Sequence, residues 1–269
     1  MVTSAVLLQE VRLPSPSGHF PFSLPLLRNS GAIALDRPVT VLVGENGSGK
    51  STLLEAIALA CELPVVGSVE SSAADSSLDA VRPLADALKL TWSRRTRRGL
   101  FLRAEDYFGY VTAQNRMKAE MRGELERLRR ENPTLPELEL RRISSPFAGS
   151  LAATEQRYGG DLDARSHGES FLALFKGRLT GEGLYVLDEP EAALSPLRQL
   201  AFMALLKDAV ARGAQFLIAT HAPMLMAFPG ARLYEVRDEE IVRAEYDELE
   251  HVRTMRDFLA APEAFLRHL

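Results

Sequence analysis

A short β-branched run, Val39-Thr40-Val41-Leu42-Val43, runs directly into Gly44-Glu45-Asn46-Gly47-Ser48-Gly49-Lys50-Ser51, and a helical pattern then continues from Thr52 to Cys61. A strand, a glycine-rich turn and a helix in immediate succession leave few folds open, because the unit needs a parallel sheet with a covering helix. The spacing G-x-x-x-x-G-K-S in that context is the P-loop motif. Gly44, Gly47 and Gly49 permit positive φ and let the backbone approach a ligand with no Cβ in the way. The amides of the turn and of the first helical turn then converge on an anion at the positive end of the helix dipole. An ordinary glycine-rich turn would account for the glycines but not for the lysine and hydroxyl that follow. Gly44, Glu45, Asn46, Gly47, Ser48, Gly49, Lys50, Ser51 and Thr52 are therefore expected to bind a nucleoside triphosphate. Lys50 would reach its β- and γ-phosphates, and the Ser51 hydroxyl would enter a Mg²⁺ shell.

The 269 residues suit one large domain or a domain with an insertion, and 46% apolar with 25% charged residues is a globular composition. A net charge of −4 does not demand nucleic acid or an anionic membrane, although a local basic patch stays open. Residues 1–10 lack a basic stretch ahead of their apolar run, so no secretory signal is expected. No apolar run approaches the roughly 18 residues of a transmembrane segment. The lone Cys61 excludes an internal disulfide or a cysteine-cluster metal site, and on the helix after the P-loop it is expected in the core. A cytoplasmic protein is the expectation.

Residues 5–13 are expected to form a first strand, broken by Pro14-Ser15-Pro16-Ser17-Gly18. Residues 67–80 are small and polar and predict a surface loop. Residues 88–92 and 99–103 predict two strands joined as a hairpin by Ser93-Arg94-Arg95-Thr96-Arg97-Arg98. That connector, with four arginines and no acid, is a solvated tip or a patch for nucleic acid or an acidic protein partner. Residues 114–131 predict a charged helix with a thin stripe of Met117, Met121, Leu125 and Leu128, ended by Pro133 and Pro136. Residues 83–165 are expected to form a smaller lobe inserted into the nucleotide domain. Beyond it, residues 170–179 and 196–211 predict helices, residues 184–187 and 215–220 buried strands, residues 233–236 and 240–244 a closing pair, and residues 251–268 a C-terminal helical segment. The alternation implies an α/β fold with a mostly parallel sheet covered on both faces and its ligand at the strands' C-terminal ends.

Two further stretches carry chemistry. The apolar strand Leu184-Tyr185-Val186-Leu187 ends in Asp188-Glu189. Beside a P-loop, Asp188 suits Mg²⁺, and Glu189 would face the γ-phosphate as general base for the attacking water. His221, after another apolar strand, could hydrogen-bond the γ-phosphate and that water. Ser166-His167-Gly168-Glu169-Ser170 precedes an apolar helix, where Ser166 and Gly168 could bind a phosphate or simply cap the helix.

The ordered set of P-loop, Ser166-His167-Gly168-Glu169, Asp188-Glu189 and His221 resembles the ABC-type ATPases, over essentially the whole chain. Twenty residues separate Gly168 from Asp188, and thirty-three separate Asp188 from His221, as in that family. The stretch 44–58, the Ser-His-Gly-Glu-Ser segment and the Asp257-Phe258-Leu259…Pro262…Phe265-Leu266 ending are most similar to small stand-alone ATPases grouped with AAA and SMC-like DNA-repair ATPases. The resemblance implies an ABC-type head with a mostly parallel central sheet, an antiparallel β region and a small helical lobe. It also implies ATP hydrolysis in a head-to-tail homodimer, with ATP and Mg²⁺ held between the P-loop of one copy and Ser166 and Gly168 of the other. His167 and Glu169 depart from the family's LSGGQ, Ser195 stands where an aspartate is usual, and no Q-loop is evident after residue 103. Phe20 and Phe22 are the aromatic candidates for stacking on adenine. Three roles remain open: a stand-alone ATPase linked to repair or defence, the nucleotide-binding subunit of a transporter, or a non-hydrolysing ATP-gated module, which the presence of both acids disfavours.

Overall fold

The structure, a computed structural model, describes residues 6–29, 31–66, 76–158, 167–179 and 181–267. In chain order its elements are β1 (Leu8–Arg12), β2 (Ala32–Ala34), β3 (Val39–Gly44), α1 (Lys50–Ala60), α2 (Arg82–Ala87), β4 (Lys89–Trp92), β5 (Gly99–Arg103), α3 (Ala104–Glu131) and α4 (Glu137–Tyr158). There follow α5 (His167–Arg178), β6 (Gly183–Asp188), α6 (Pro196–Ala211), β7 (Ala214–Ala219), α7 (Pro223–Met226), β8 (Arg232–Arg237), β9 (Glu240–Ala244), α8 (Glu250–Ala260) and α9 (Pro262–Leu266).

The runs read as buried strands, β3, β6 and β7, are buried at every position, as strands covered on both faces must be. They lie in a six-stranded sheet of order β5-β6-β7-β3-β8-β9, parallel throughout except for the β8–β9 pair at one edge. Alternate side chains feed two cores. On one face Leu42, Val186 and Leu217 pack with Leu53, Leu54 and Ile57 of α1 and with the antiparallel sheet β2-β1-β4. On the other, Val41, Tyr185, Leu187 and Phe216 pack with Phe171 and Phe175 of α5 and Phe202 of α6. Cys61 is buried, as expected.

The two sheets are tied by a residue that no motif marks. Gln215, on β7 and 2% exposed, accepts the Leu7 and Leu8 amides through Oε1 at 2.9 Å each and donates Nε2 to the Leu8 carbonyl at 2.8 Å. It thus satisfies the backbone at the start of β1, ahead of the stretch Glu10–Arg12 where β2 pairs with it.

The hairpin expected over residues 88–103 does not form. β4 pairs antiparallel with β1, whereas β5 pairs parallel with β6 in the other sheet. An apolar run predicts a strand but not its partner, and residues 93–98 cross between sheets instead of turning back. Their arginines meet acids of this chain: Arg94 pairs with Glu182, and Arg95 and Arg97 reach Glu62 at 3.5 and 2.8 Å.

The expected loop 67–80 is ordered at its end, where a 3₁₀ turn over Ser76–Val81 buries Leu78 and Val81, while residues 67–75 lie outside the described residues. The charged helix begins ten residues earlier than its charge pattern suggests, because Tyr107 is buried edge-on against Phe171 with ring centroids 4.8 Å apart. Within 116–149 none of the residues with described side chains is buried, and α3 runs antiparallel to α4, a helix the sequence reading did not single out. No helix of the described residues is long and apolar enough to cross a membrane.

Replacing Gln215 by leucine strands two buried amides of β1. Chemical unfolding is expected to show a loss of about 2–4 kcal/mol, and an unchanged midpoint would mean that β1 docks without this link.

Candidate functional site

Parallel register gathers the sequence candidates at one edge of the sheet. Asp188 and Leu42 each lie opposite Ala219, on either side of β7. Glu189 follows Asp188 directly, the Thr220-His221 turn follows Ala219, and the P-loop begins two residues beyond Leu42. The Glu189 amide donates to the Ala219 carbonyl at 2.9 Å, and the Thr220 amide to the Leu42 carbonyl at 3.3 Å, which locks the three strand ends together.

The loop has the predicted backbone, with φ of +79° at Gly47 and +97° at Gly49. A Cβ at Gly49 would lie 2.8 Å from Leu26, so this position needs glycine for space as well as for φ. No side chain caps the amide end of α1. Glu45, Asn46 and Gly47 are exposed, Ser48, Gly49, Ser51 and Thr52 partly so, and Lys50 is only 4% exposed. Its ammonium donates to the carbonyls of Gly44 at 2.8 Å and Glu45 at 2.7 Å, and to the Ser48 hydroxyl at 3.4 Å. Burial lowers the Lys50 pKa, and the charges of Glu189, Asp188, Glu191 and Glu45 resist that shift.

Asp188 is 7% exposed. Burial pushes its carboxyl up to about 7, with Glu189 and Glu55 adding to the shift and the Ser51 hydroxyl bond and Lys50 opposing it. Oδ1 of Asp188 is buried with no hydrogen-bond partner. An unsatisfied carboxylate oxygen beside a serine hydroxyl is a donor set that fits Mg²⁺, which takes one or two protein oxygens plus phosphate and water. Among the described residues no cluster of three or more His, Cys, Asp or Glu could hold a metal by itself.

Glu189 adopts φ +49° and ψ +49°, an uncommon left-handed conformation for a side-chain-bearing residue. Its Oε1 lies 3.5 Å from His221 Nε2. The His221 pKa is lowered by burial and by Lys50, against the pull of Glu189. Two further residues hold His221, and the sequence reading assigned neither a role. Glu191 Oε1 accepts the His221 amide at 2.7 Å and also takes a hydrogen bond from Thr220. His251, on α8, approaches His221 Nδ1 through Nε2 at 3.3 Å.

The remaining candidates fall elsewhere. Ser166 lies outside the described residues. Gly168 is buried, and a Cβ there would meet Arg198 at 2.5 Å and the Ala193 carbonyl at 3.0 Å. Ser195 precedes α6 and makes no side-chain cap. After β5, where a Q-loop would stand, the buried Arg103 binds Asp106 through Nε at 2.7 Å and Nη2 at 3.0 Å, and Glu55 of α1 at 3.1 Å. Phe22 packs against the core, and Phe20 is 54% exposed.

The P-loop, an acid pair at the end of the neighbouring-but-one strand and a histidine after the strand between them define a P-loop ATPase. A family model for an AAA domain matches residues 22–74. The chain belongs to the family described as "AAA domain, putative AbiEii toxin, Type IV TA system", whose model matches residues 81–227. Three solved structures illustrate the similarity. A nucleotide-free ATP-binding cassette from an ABC transporter is 20% identical with TM-score 0.47, covering 98% of each chain. The SMC head domain from Thermotoga maritima is 17% identical with TM-score 0.46, over 89% of this chain and 100% of that one. The cbiO1 protein from Clostridium perfringens, part of the ABC transporter complex cbiONQ, is 17% identical with TM-score 0.49, over 98% of this chain and 100% of that one. No curated protein matches the chain.

The Asp188 carboxyl titrates near 7 when folded and near its ordinary value of roughly 4 when unfolded. Between those values folding takes up a proton, so the magnesium-free protein loses stability as pH rises through that window. Asp188→Asn removes this term. Melting in chelator is expected to show a variant more stable than wild type, with a gap that widens from pH 5 to pH 8 to on the order of 2–4 kcal/mol. A gap independent of pH would contradict the buried carboxyl.

Proposed function

We propose that the chain is a Mg²⁺-dependent ATP hydrolase whose ATP-bound form closes as a homodimer and whose hydrolysis reopens it. The observation that carries this reading is the meeting of Lys50, Asp188, Glu189 and His221 at one sheet edge, close enough that each of the last three perturbs, or is perturbed by, the Lys50 charge. The P-loop residues 44–52 bind the triphosphate, with Lys50 leaving its carbonyl partners to meet the β- and γ-phosphates. Ser51 and Asp188 would hold Mg²⁺, which would supply charge neutralisation at the phosphoryl group. Glu189 takes the proton of the attacking water, and His221 hydrogen-bonds the γ-phosphate.

Gly168 has Arg198 and Ala193 as its nearest neighbours, not the P-loop of its own chain. In this proposal Ser166 and Gly168 serve the nucleotide of a second copy. In this proposal residues 83–165 are an inserted segment, and among its described residues β4 and β5 each pair into one of the two sheets while the α3–α4 hairpin stands outside them. Of the repair and defence roles, defence draws support from the family description, which names a putative toxin of a toxin–antitoxin system. A cytoplasmic setting, where ATP and Mg²⁺ are available, completes the proposal. Nucleic acid or an acidic protein is left out of it, because Arg94, Arg95 and Arg97 already pair with Glu182 and Glu62.

Glu189→Gln keeps the side chain's shape and removes the base. Its turnover is expected to fall at least about 100-fold, while its mass doubles when ATP and Mg²⁺ are added. Retention of turnover would remove Glu189 from the base role, and a monomer in ATP would remove the dimer. Lys50→Ala is expected to lose ATP binding by calorimetry, and tight binding by that variant would contradict the P-loop assignment.

A further inference from the structure

We propose that His251, near the start of α8, is a positioning residue that fixes the tautomer and orientation of His221. The inference rests on the hydrolytic reading of the site given above. His251 Nε2 and His221 Nδ1 lie 3.3 Å apart, a contact bridging thirty residues of sequence. Two ring nitrogens can share a hydrogen bond only if one of them carries the proton. The opposite nitrogen of His221, Nε2, faces Glu189 Oε1 at 3.5 Å, and a carboxylate accepts but cannot donate.

If His221 donated through Nδ1, its Nε2 lone pair would be turned towards that carboxylate and, with substrate bound, towards an anionic phosphate. The opposite arrangement removes that lone-pair repulsion and places the proton of His221 Nε2, which makes no hydrogen bond within this structure, 3.5 Å from the Glu189 carboxylate. His251 donates Nε2–H to His221 Nδ1, and His221 keeps its own proton on Nε2, pointing at the acceptors. His251 Nδ1, buried and without a hydrogen-bond partner, is then the lone-pair nitrogen. A protonated nitrogen there would strand a buried donor, which is the costlier choice.

The geometry of α8 supports this role. Leu249 is fully buried and Val252 is 4% exposed, so packing on both sides sets the position of the ring between them. Glu45 of the P-loop and Glu250 border the same cavity as His251, which has a volume of about 440 Å³. Orientation of a functional imidazole by a hydrogen bond to its far nitrogen is a general device, and its loss costs on the order of ten-fold or more.

The test uses His251→Leu, which removes the donor, and His251→Gln, whose Nε2 is the same number of bonds from the backbone and can donate. In ¹⁵N-labelled, nucleotide-free protein, long-range ¹H–¹⁵N spectra report which His221 nitrogen is protonated. Wild type and His251→Gln are expected to show Nε2–H, and His251→Leu a mixture or a shift to Nδ1–H. In turnover assays His251→Leu is expected to lose about ten-fold in kcat with KM for ATP unchanged, and His251→Gln to recover most of it. Unaltered Nε2–H in His251→Leu, or equal losses in both variants, overturns the proposal. If wild type fails to hydrolyse ATP, the hydrolytic reading fails, while the spectra still decide what His251 does to His221.

Discussion

The parallel register of β6, β7 and β3 sets where every chemical group of this protein can be. Because Asp188 and Leu42 both face Ala219, β6 and β7 end level with each other and β3 runs two residues further, to Gly44. The Glu189 and Thr220 amides then bond across the strand ends instead of continuing their own strands. A slip by one residue would turn each buried side chain to the opposite face and remove the acid pair from the loop. The two apolar cores oppose that slip, since each takes alternate residues from all three strands. Gln215 adds a polar constraint, tying β7 to β1 at a point where only one register satisfies both amides.

The site is held under strain by that framework. A buried cation, nearby carboxylates and a lowered-pKa histidine meet at one place, and the carboxylate buried deepest among them, Asp188, is driven towards its neutral form. Glu189 adds an unfavourable backbone conformation. Each feature destabilises the folded chain by itself, and a ligand carrying negative phosphate and a divalent ion would relieve the buried charges of Lys50 and Asp188. Stability and ligand affinity are therefore set against each other at these residues, as is common where buried charges are kept for chemistry.

The parts of this arrangement that are local in sequence were legible. The strand, turn and helix of residues 39–60 follow from β-branched residues, glycines and an apolar period in one continuous stretch. The acid pair and His221 announce themselves by following apolar runs. Pairing and long-range contact were not legible. The strand at 99–103 looks like the second arm of a hairpin because nothing in an apolar run names its partner, yet its burial comes from β6. The start of α3 was missed because its anchor, Tyr107, belongs to an aromatic cluster assembled from α5 and α6. Gln215 reads as an ordinary polar residue entering a strand, and its importance exists only where β1 passes. His251 sits among charged residues at the start of a helix with no motif around it.

The two residues that hold His221 do so by different means, and the difference has a physical consequence. Glu191 binds the His221 amide from the turn that directly follows the acid pair, so the backbone of the histidine is fixed to the strand bearing Asp188 and Glu189. His251 binds the ring from α8, which follows the antiparallel edge strand β9 and touches the body through α7 and a few buried side chains. The backbone of the histidine therefore belongs to the rigid sheet edge, whereas the direction of its ring belongs to the C-terminal helix. A rotation of the ring needs no break in the sheet. It needs only that α8 carry the His251 nitrogen out of hydrogen-bond range, a motion of about an ångström from its present 3.3 Å separation.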